Sequence, residues 1–190
     1  MPEPISYTFD GQLAFSDGVA SAATVDAICL GQIPGALSVE RATKQEDRNG
    51  TDWWIRRNGV RPLSIDAKVR KEDWAATHPL EDDLALETWS VVESGIKGWT
   101  RNPRKQTDYI LWLWVDTGRW CLIAFPMLCA VMEDKWQEWR KQYKTRSQFT
   151  PGDPGYHSEC VFVPRKEIWK EIYRRFAGTP TRPTTDERSV

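Results

Sequence analysis

Strict alternation of apolar and polar residues over 63–70 constrains the fold of this chain more than any other feature of its sequence. Apolar side chains occupy every second position of this segment: Leu63, Ile65, Ala67 and Val69. Polar side chains occupy the positions between them: Ser64, Asp66, Lys68 and Arg70. Because successive side chains of a β-strand point to opposite faces, we expect a strand with one apolar and one polar face. Asp66 and Lys68 then share the polar face.

A second strand is predicted immediately before this one, over residues 51–57. Its sequence, TDWWIRR, is rich in aromatic residues, and the Asn58–Gly59 pair that follows is a strong signal for a tight β-hairpin turn. Asp52 lies near the start of this strand. The hairpin therefore predicts that Asp52 lies on the strand next to that of Asp66 and Lys68.

The remaining segments predict an α/β (α+β) domain with a central mixed β-sheet flanked by helices. Residues 83–92 alternate in the same way and indicate a third strand of the antiparallel series. The nearly continuous apolar runs at 108–116 and 119–125 are typical of central strands buried on both faces. Another strand is predicted at 160–164. Apolar spacing and end signals predict helices at residues 21–30, 36–47, 126–144 and 165–178.

The length and composition favour one domain of a cytoplasmic protein. A chain of 190 residues suits a single well-packed domain, predicted at 1–178 with a core at about 36–176 and an N-terminal arm at 1–35. Residues 179–190 are rich in Pro, Thr and charge and are predicted to form a disordered tail. No run approaches the roughly 20 apolar residues of a membrane span. The first 40 residues lack the Lys and Arg of a secretory signal, and the cysteines lack CxxC pairing, as expected for buried thiols in the cytosol.

The charges are unevenly distributed, although the net charge is only −1. Residues 72–96 contain acids and no base, and an all-basic loop follows directly. The basic side chains of this loop are Lys97, Arg101, Arg104 and Lys105. They are candidates for binding a phosphate backbone, with Trp99 available to stack on a base; a flexible, solvated loop is the alternative.

Asp52, Asp66 and Lys68 form the constellation with the clearest chemistry. Two carboxylates on adjacent strands, with the backbone carbonyl of Ala67, are suitable oxygen ligands for Mg²⁺, with Mn²⁺ as a substitute. Lys68 could hold an attacking water and counter the charge that develops on a phosphate. The alternative is an ordinary solvent face, where Asp and Lys pair across strands.

The segments GTDWWI (50–55) and SIDAKVR (64–70), in this order of elements, resemble the PD-(D/E)XK nuclease superfamily over about residues 36–126. That superfamily includes restriction endonucleases and Holliday-junction resolvases. The resemblance implies a restriction-endonuclease-like core in which Asp52, Asp66 and Lys68 are catalytic and the two acids bind the metal. Thr51 stands where the family pattern has Pro, and Asp66 stands where Glu is commoner.

Two further acids are candidates for completing the site. Glu40 lies on the helix predicted before Asp52, where many members of the superfamily carry a metal-binding glutamate; a solvated helix-surface residue is the alternative. Glu87 alternates with Leu84, Leu86 and Trp89 in the third predicted strand and could face the site as a catalytic residue.

The resemblance implies a metal-dependent nuclease that hydrolyses phosphodiester bonds, with DNA favoured over RNA as the polymer. Structure-specific cleavage, a phage or bacterial origin and a homodimer that cuts two strands would each be compatible with a small enzyme of this kind. The alternative from another class is a non-catalytic nucleic-acid-binding or protein-interaction module on the same fold.

Overall fold

The computed structural model describes residues 19–177, which form nine strands and five α-helices. The strands are β1 (Ala36–Arg41), β2 (Trp53–Arg57), β3 (Leu63–Arg70), β4 (Asp83–Val91), β5 (Ile96–Lys97), β6 (Tyr109–Trp114), β7 (Trp120–Ala124), β8 (Thr145–Thr150) and β9 (Tyr156–Pro164). The helices are α1 (Val19–Gln32), α2 (Lys44–Arg48), α3 (Trp74–Thr77), α4 (Phe125–Gln142) and α5 (Arg165–Phe176). Turns of 3₁₀-helix lie at Pro79–Glu81 and Trp99–Arg101.

A mixed five-stranded sheet forms the centre of the domain, in the order β1-β2-β3-β6-β7. Strands β1, β2 and β3 are antiparallel neighbours, β6 runs parallel to β3, and β7 is antiparallel to β6. The turn between β2 and β3 contains Gly59 at φ 67°, a conformation that glycine adopts without steric cost. The predicted α+β class with a mixed central sheet is confirmed.

A second sheet, entirely antiparallel, has the order β5-β4-β9-β8. Strand β4 is the third strand predicted from alternation, but it pairs with β9 instead of continuing the series β1-β2-β3. Alternation indicates which side chains of β4 share a face, and Leu84 and Leu86 are indeed buried. Alternation carries no information about the partner strand. The partner is distant in the sequence, since Leu84, for example, pairs with Val163.

The central sheet is covered on both faces. On one face, Val25, Cys29 and Ile33 of α1 and the turn after it pack in a cluster with Ile65 and Leu111. On the other face, alternate side chains of β6 pack with α4, α5 and the second sheet. Strand β6 is buried on both faces, as its continuous apolar run predicts, because these two clusters cover its alternate side chains from either side of the sheet.

Residues 36–47, predicted as one helix, instead form strand β1 and the short helix α2. Val39 and Glu40 of β1 pair with Ile55 and Trp54 of β2, so tertiary pairing outweighs the local helical preference of the segment. Helix α2 begins only after Thr43, whose side chain forms a capping box with Glu46.

The predicted arm at 1–35 is described only from residue 19, and the part that is described packs its helix α1 against the central sheet. The predicted tail at 179–190 lies outside the described residues. The four cysteines are free thiols; Cys29 and Cys121 are buried as predicted, whereas Cys129 and Cys160 are only partly buried. Among the described helices, none is long and apolar enough to cross a membrane.

Candidate active site

Asp52 lies directly before β2, where the first strands of the central sheet meet. Its backbone N–H donates to the carbonyl oxygen of Ile65 at 2.8 Å, which fixes it beside β3. Oδ2 of its side chain accepts a 2.8 Å hydrogen bond from the backbone N–H of Ala67. The predicted position of Asp52 on the neighbouring strand is therefore correct, and its carboxylate is joined to the residue between Asp66 and Lys68.

Asp66 is buried and lies between two lysines. Lys68 Nζ is 2.6 Å from its Oδ1 atom, and Lys105 Nζ donates to its Oδ2 atom. Burial by itself raises the pKa of this carboxyl, but the charges and hydrogen bonds of the two lysines outweigh burial and hold the pKa below its ordinary value. Asp66 is therefore ionised at neutral pH.

The carboxyl group of Asp52 has the opposite perturbation. Its burial, followed by repulsion from the Asp66 carboxylate, raises its pKa to about 7. The hydrogen bond from Ala67 and the charge of Lys68 lower the pKa, but they do not compensate. Two neighbouring carboxyl groups with pKa values moved in opposite directions are typical of sites that transfer protons or bind cations.

Lys105 is a site residue that sequence reasoning placed elsewhere. Its side chain is only 10% exposed and its ammonium pairs with Asp66. Its predicted contact with a phosphate backbone stays a prediction that this burial does not favour. The chain reaches Asp66 past Gly50, where an added Cβ would lie 2.6 Å from Lys105 Cγ. The only sequence signal was its place in a basic loop, which gives no indication of a partner 39 residues away.

Trp99 lies against the lysines of the site. Lys68 Nζ and Lys105 Nζ are 5.2 and 5.4 Å from the centre of its ring, within the range of cation–π attraction. The ring also packs on Phe125, with 6.2 Å between ring centroids. Trp99 is therefore partly buried as part of the site wall and is not a freely exposed stacking residue.

Glu87 reaches the site from β4 of the second sheet. Its Oε2 atom accepts hydrogen bonds from Ser90 Oγ at 2.8 Å and from the backbone N–H of Trp99 at 2.9 Å. The close approach requires Gly98, because an added Cβ there would lie 2.2 Å from the carbonyl oxygen of Glu87. Glu87 therefore faces the site, as its alternation in the sequence suggested.

A cavity of about 720 Å³ opens in front of these groups. Asp52, Ala67 and Lys68 of the central sheet line it, together with Glu87 of β4 and Trp99 of the 3₁₀ turn. Asp66 lies behind Lys68 and is 2% exposed. The cavity thus presents Asp52, Lys68 and Glu87 to a ligand, while Asp66 positions Lys68.

Glu40 does not contribute to this cavity. It lies on β1 and not on a helix, and its carboxylate pairs with Arg56 across the neighbouring strand at 3.1 Å. About half of its side chain is exposed to solvent. The predicted helical position of Glu40 is wrong because its segment pairs with β2 as a strand. Its carboxylate is used in the ion pair with Arg56.

The other members of the predicted basic loop differ in exposure. Lys97 and Arg104 are exposed, which is compatible with the predicted phosphate contacts. Arg101 instead lies 3.6 Å from the ring centre of Trp136 and donates to the carbonyl oxygen of Thr88. Its guanidinium therefore joins the 3₁₀ turn to α4 and β4, and this turn is not a flexible loop.

A divalent cation suits the donor chemistry of the site. Among residues 19–177, no group of three or more His, Cys, Asp or Glu side chains surrounds one point. Mg²⁺, however, commonly binds through one or two carboxylates and keeps several waters. The crowding that raises the pKa of Asp52 next to Asp66 is what a cation would relieve. Asp52 is the carboxylate of the predicted set that lines the cavity, whereas both oxygens of Asp66 are held by lysines. The set of Asp52, Asp66 and the Ala67 carbonyl therefore stays a prediction.

Comparison with known proteins gives no match to a family model, a curated protein or a solved structure. The restriction-endonuclease-like core accordingly stays a prediction.

Proposed function

We propose that this protein is a metal-dependent nuclease, similar to the PD-(D/E)XK superfamily, that hydrolyses phosphodiester bonds in DNA. The observation that supports the proposal is the chain of contacts at the cavity wall. Asp52 bonds to the backbone of Ala67, and the residues on either side of Ala67 form a 2.6 Å ion pair. These contacts bring Asp52 next to the Asp66–Lys68 pair, which supports the proposal.

Asp52 and the carbonyl of Ala67 would hold Mg²⁺ or Mn²⁺ at the cavity wall. Asp66 would join them where the cation replaces a lysine on its carboxylate, and Glu87, which lines the same cavity, is a further candidate. When bound, such a cation supplies electrostatic stabilisation of the charge on a phosphate oxygen. A homodimer with two such sites would suit cleavage of both strands.

Lys68 is the group that would contact the phosphate or the attacking water. Its side chain is 24% exposed and lines the cavity, while Asp66 behind it holds the ammonium in place. An ammonium so oriented can donate a hydrogen bond to a phosphate oxygen without reorganisation as negative charge develops. The ion pair with Asp66 thus restrains the side chain in the position where it is useful.

A second candidate is a non-catalytic nucleic-acid-binding module. The specific observation that favours it is that both oxygens of Asp66 already contact a lysine. The charge of a buried carboxylate that contacts two cations is already compensated. The group of Lys68, Asp66 and Lys105 could therefore have a structural role and no catalytic one. In that case the protein would bind DNA without cleaving it.

Cleavage assays distinguish the two candidates. Wild type, Lys68→Ala and Asp52→Asn are compared on linear, single-stranded and branched DNA and on RNA, with Mg²⁺, Mn²⁺ or EDTA. We expect metal-dependent cleavage of DNA by wild type and a loss of roughly 100-fold or more in each variant. Lys141→Ala, at an exposed position of α4, is the matched control and should retain activity. Cleavage that persists in both site variants would contradict the proposal.

A further inference from the structure

The cavity has two chemically different sides. The side formed by β1, α2 and β3 carries its cationic residues: Arg41, Lys44, Lys68 and Arg70. The side formed by the β8–β9 hairpin carries uncharged hydrogen-bonding residues: Gln148, Thr150, Tyr156 and Ser158. The function proposed above uses Lys68 of the first side together with Asp52 and Glu87, and it gives the four uncharged residues no role.

Strand register places the four uncharged side chains together. Gln148 is paired with Ser158, and Thr150 with Tyr156, in the antiparallel β8–β9 ladder. Residues directly opposite each other in such a ladder, and residues two apart along one strand, share a face. The four side chains therefore form one continuous surface, and they line the same cavity as the catalytic candidates.

This surface has the chemistry that recognises a nucleobase. Hydroxyl and amide groups donate and accept hydrogen bonds but do not neutralise phosphates. Tyr156 adds an aromatic ring that is 38% exposed and lines the cavity, and such rings stack on bases. The cations on the opposite side are the groups that attract a phosphate backbone.

The size of the cavity restricts which form of nucleic acid can enter. Its volume of about 720 Å³ is that of a site for a small molecule. Bases within an intact duplex are stacked and paired, so enzymes that bind a base in a pocket need a single strand or must extrude the base. A strand that reaches Lys68 with its base on the hairpin surface must therefore be unpaired.

We propose that the site binds an unpaired segment of DNA, an inference that rests on the proposed function. Its base lies against Tyr156, Gln148 and Ser158, and its phosphate lies against Lys68. The substrate class is then single strands, frayed ends or flaps, and the β8–β9 hairpin provides the base-binding surface.

Binding measured without cleavage tests this assignment. Fluorescence anisotropy is recorded in EDTA, at one salt concentration, with a labelled single-stranded oligodeoxynucleotide and with the same sequence as a blunt duplex. We expect wild type to bind the single strand more tightly than the duplex. Tyr156→Ala should weaken single-strand binding roughly 5- to 150-fold, as for loss of one stacked base. Tyr156→Phe, which keeps the ring, should retain most of the affinity.

Tyr173→Ala is the matched control, because Tyr173 is an exposed tyrosine of α5 outside the cavity. Thermal unfolding followed by circular dichroism verifies that each variant is folded. Equal binding of the two DNA forms by wild type, or unchanged single-strand binding by folded Tyr156→Ala, would overturn the assignment. If those affinities behave as expected but no DNA is cleaved with Mg²⁺, the base-binding surface is supported and only the proposed nuclease activity fails.

Discussion

Lys105 donates a hydrogen bond to Oδ2 of Asp66, from a position 39 residues further along the chain. This contact joins the segment that precedes β6 to the polar face of β3. Together with Lys68 on Oδ1, it surrounds a buried carboxylate with two cations. The stability of the fold and the orientation of the candidate catalytic lysine therefore depend on the same carboxylate.

Replacing Lys105 with Met should destabilise the protein. The variant keeps the length of the side chain but leaves Asp66, which is 2% exposed, with only one cation. We expect the free energy of unfolding, from urea denaturation at pH 7, to fall by roughly 2–4 kcal/mol. Lys97→Met, at an exposed site, should change it by less than about 0.5 kcal/mol.

The same contact predicts a pH dependence. The lysines hold the pKa of Asp66 below the ordinary value of 3.8. The stability that they contribute is therefore fully present at a pH above 3.8 and is lost as the pH falls toward the depressed pKa. The difference in stability between wild type and Lys105→Met should therefore shrink as the pH falls below about 4. A difference that does not change with pH would contradict the role of the Asp66 charge.

Asp52→Asn should stabilise the fold at high pH. The folded carboxyl has a pKa of about 7, whereas the unfolded chain has the ordinary value of 3.8. The folded state therefore binds more protons between these values, and Asp52 costs stability increasingly as the pH rises through this window. An asparagine carbonyl can still accept the hydrogen bond from Ala67 without that cost.

We expect the stability gain of Asp52→Asn to be larger at pH 8 than at pH 5, by on the order of 2 kcal/mol. Urea denaturation of both proteins at the two pH values provides the measurement. The same gain at pH 5 and pH 8 would show that the carboxyl of Asp52 is not perturbed as described.

Binding of Mg²⁺ should release a proton from Asp52. A group with a pKa of about 7 is partly protonated at pH 6.5, and a bound cation favours its ionised form. Calorimetric titrations of Mg²⁺ at pH 6.5 in two buffers of different ionisation enthalpy should report this release for wild type. Asp52→Asn should bind more weakly and release no proton. Identical heats in the two buffers for wild type would contradict the assignment of Asp52 as a ligand.

Gly98→Ala should disturb the position of Glu87. The added methyl group would lie 2.2 Å from the backbone carbonyl oxygen of Glu87, so the 3₁₀ turn that carries Trp99 must move. We expect a loss of roughly 1–3 kcal/mol in the free energy of unfolding. Gly31→Ala is the control, because the added Cβ would meet no atom within 4 Å. Gly31 lies in α1, so this substitution is expected to raise the free energy of unfolding by about 0.5–1 kcal/mol. Equal stability of Gly98→Ala and wild type would mean that the turn adjusts freely.

Much of the fold could be predicted from local patterns. Alternation in 63–70 places Asp66 and Lys68 on one face. The signal at Asn58–Gly59 correctly indicates that β2 and β3 pair and that Asp52 lies beside β3, although the connection spans residues 58–62 and is longer than the predicted tight turn. The uninterrupted apolar run of β6 indicates a strand covered on both sides. These features are encoded within about ten residues, because the pleat of a strand and the geometry of a tight turn are local properties.

The tertiary structure alone decided which distant segments meet. Pairing with β2 made a strand of residues 36–41 and took Glu40 away from the site, and pairing with β9 placed β4 in a second sheet. Packing buried Lys105 on Asp66 and brought Glu87 to the same cavity as Asp52. Such contacts depend on burial and on charge compensation between remote residues, which no local periodicity records. The sequence by itself therefore determined the catalytic candidates on one hairpin, and the folded chain determined the groups that surround them.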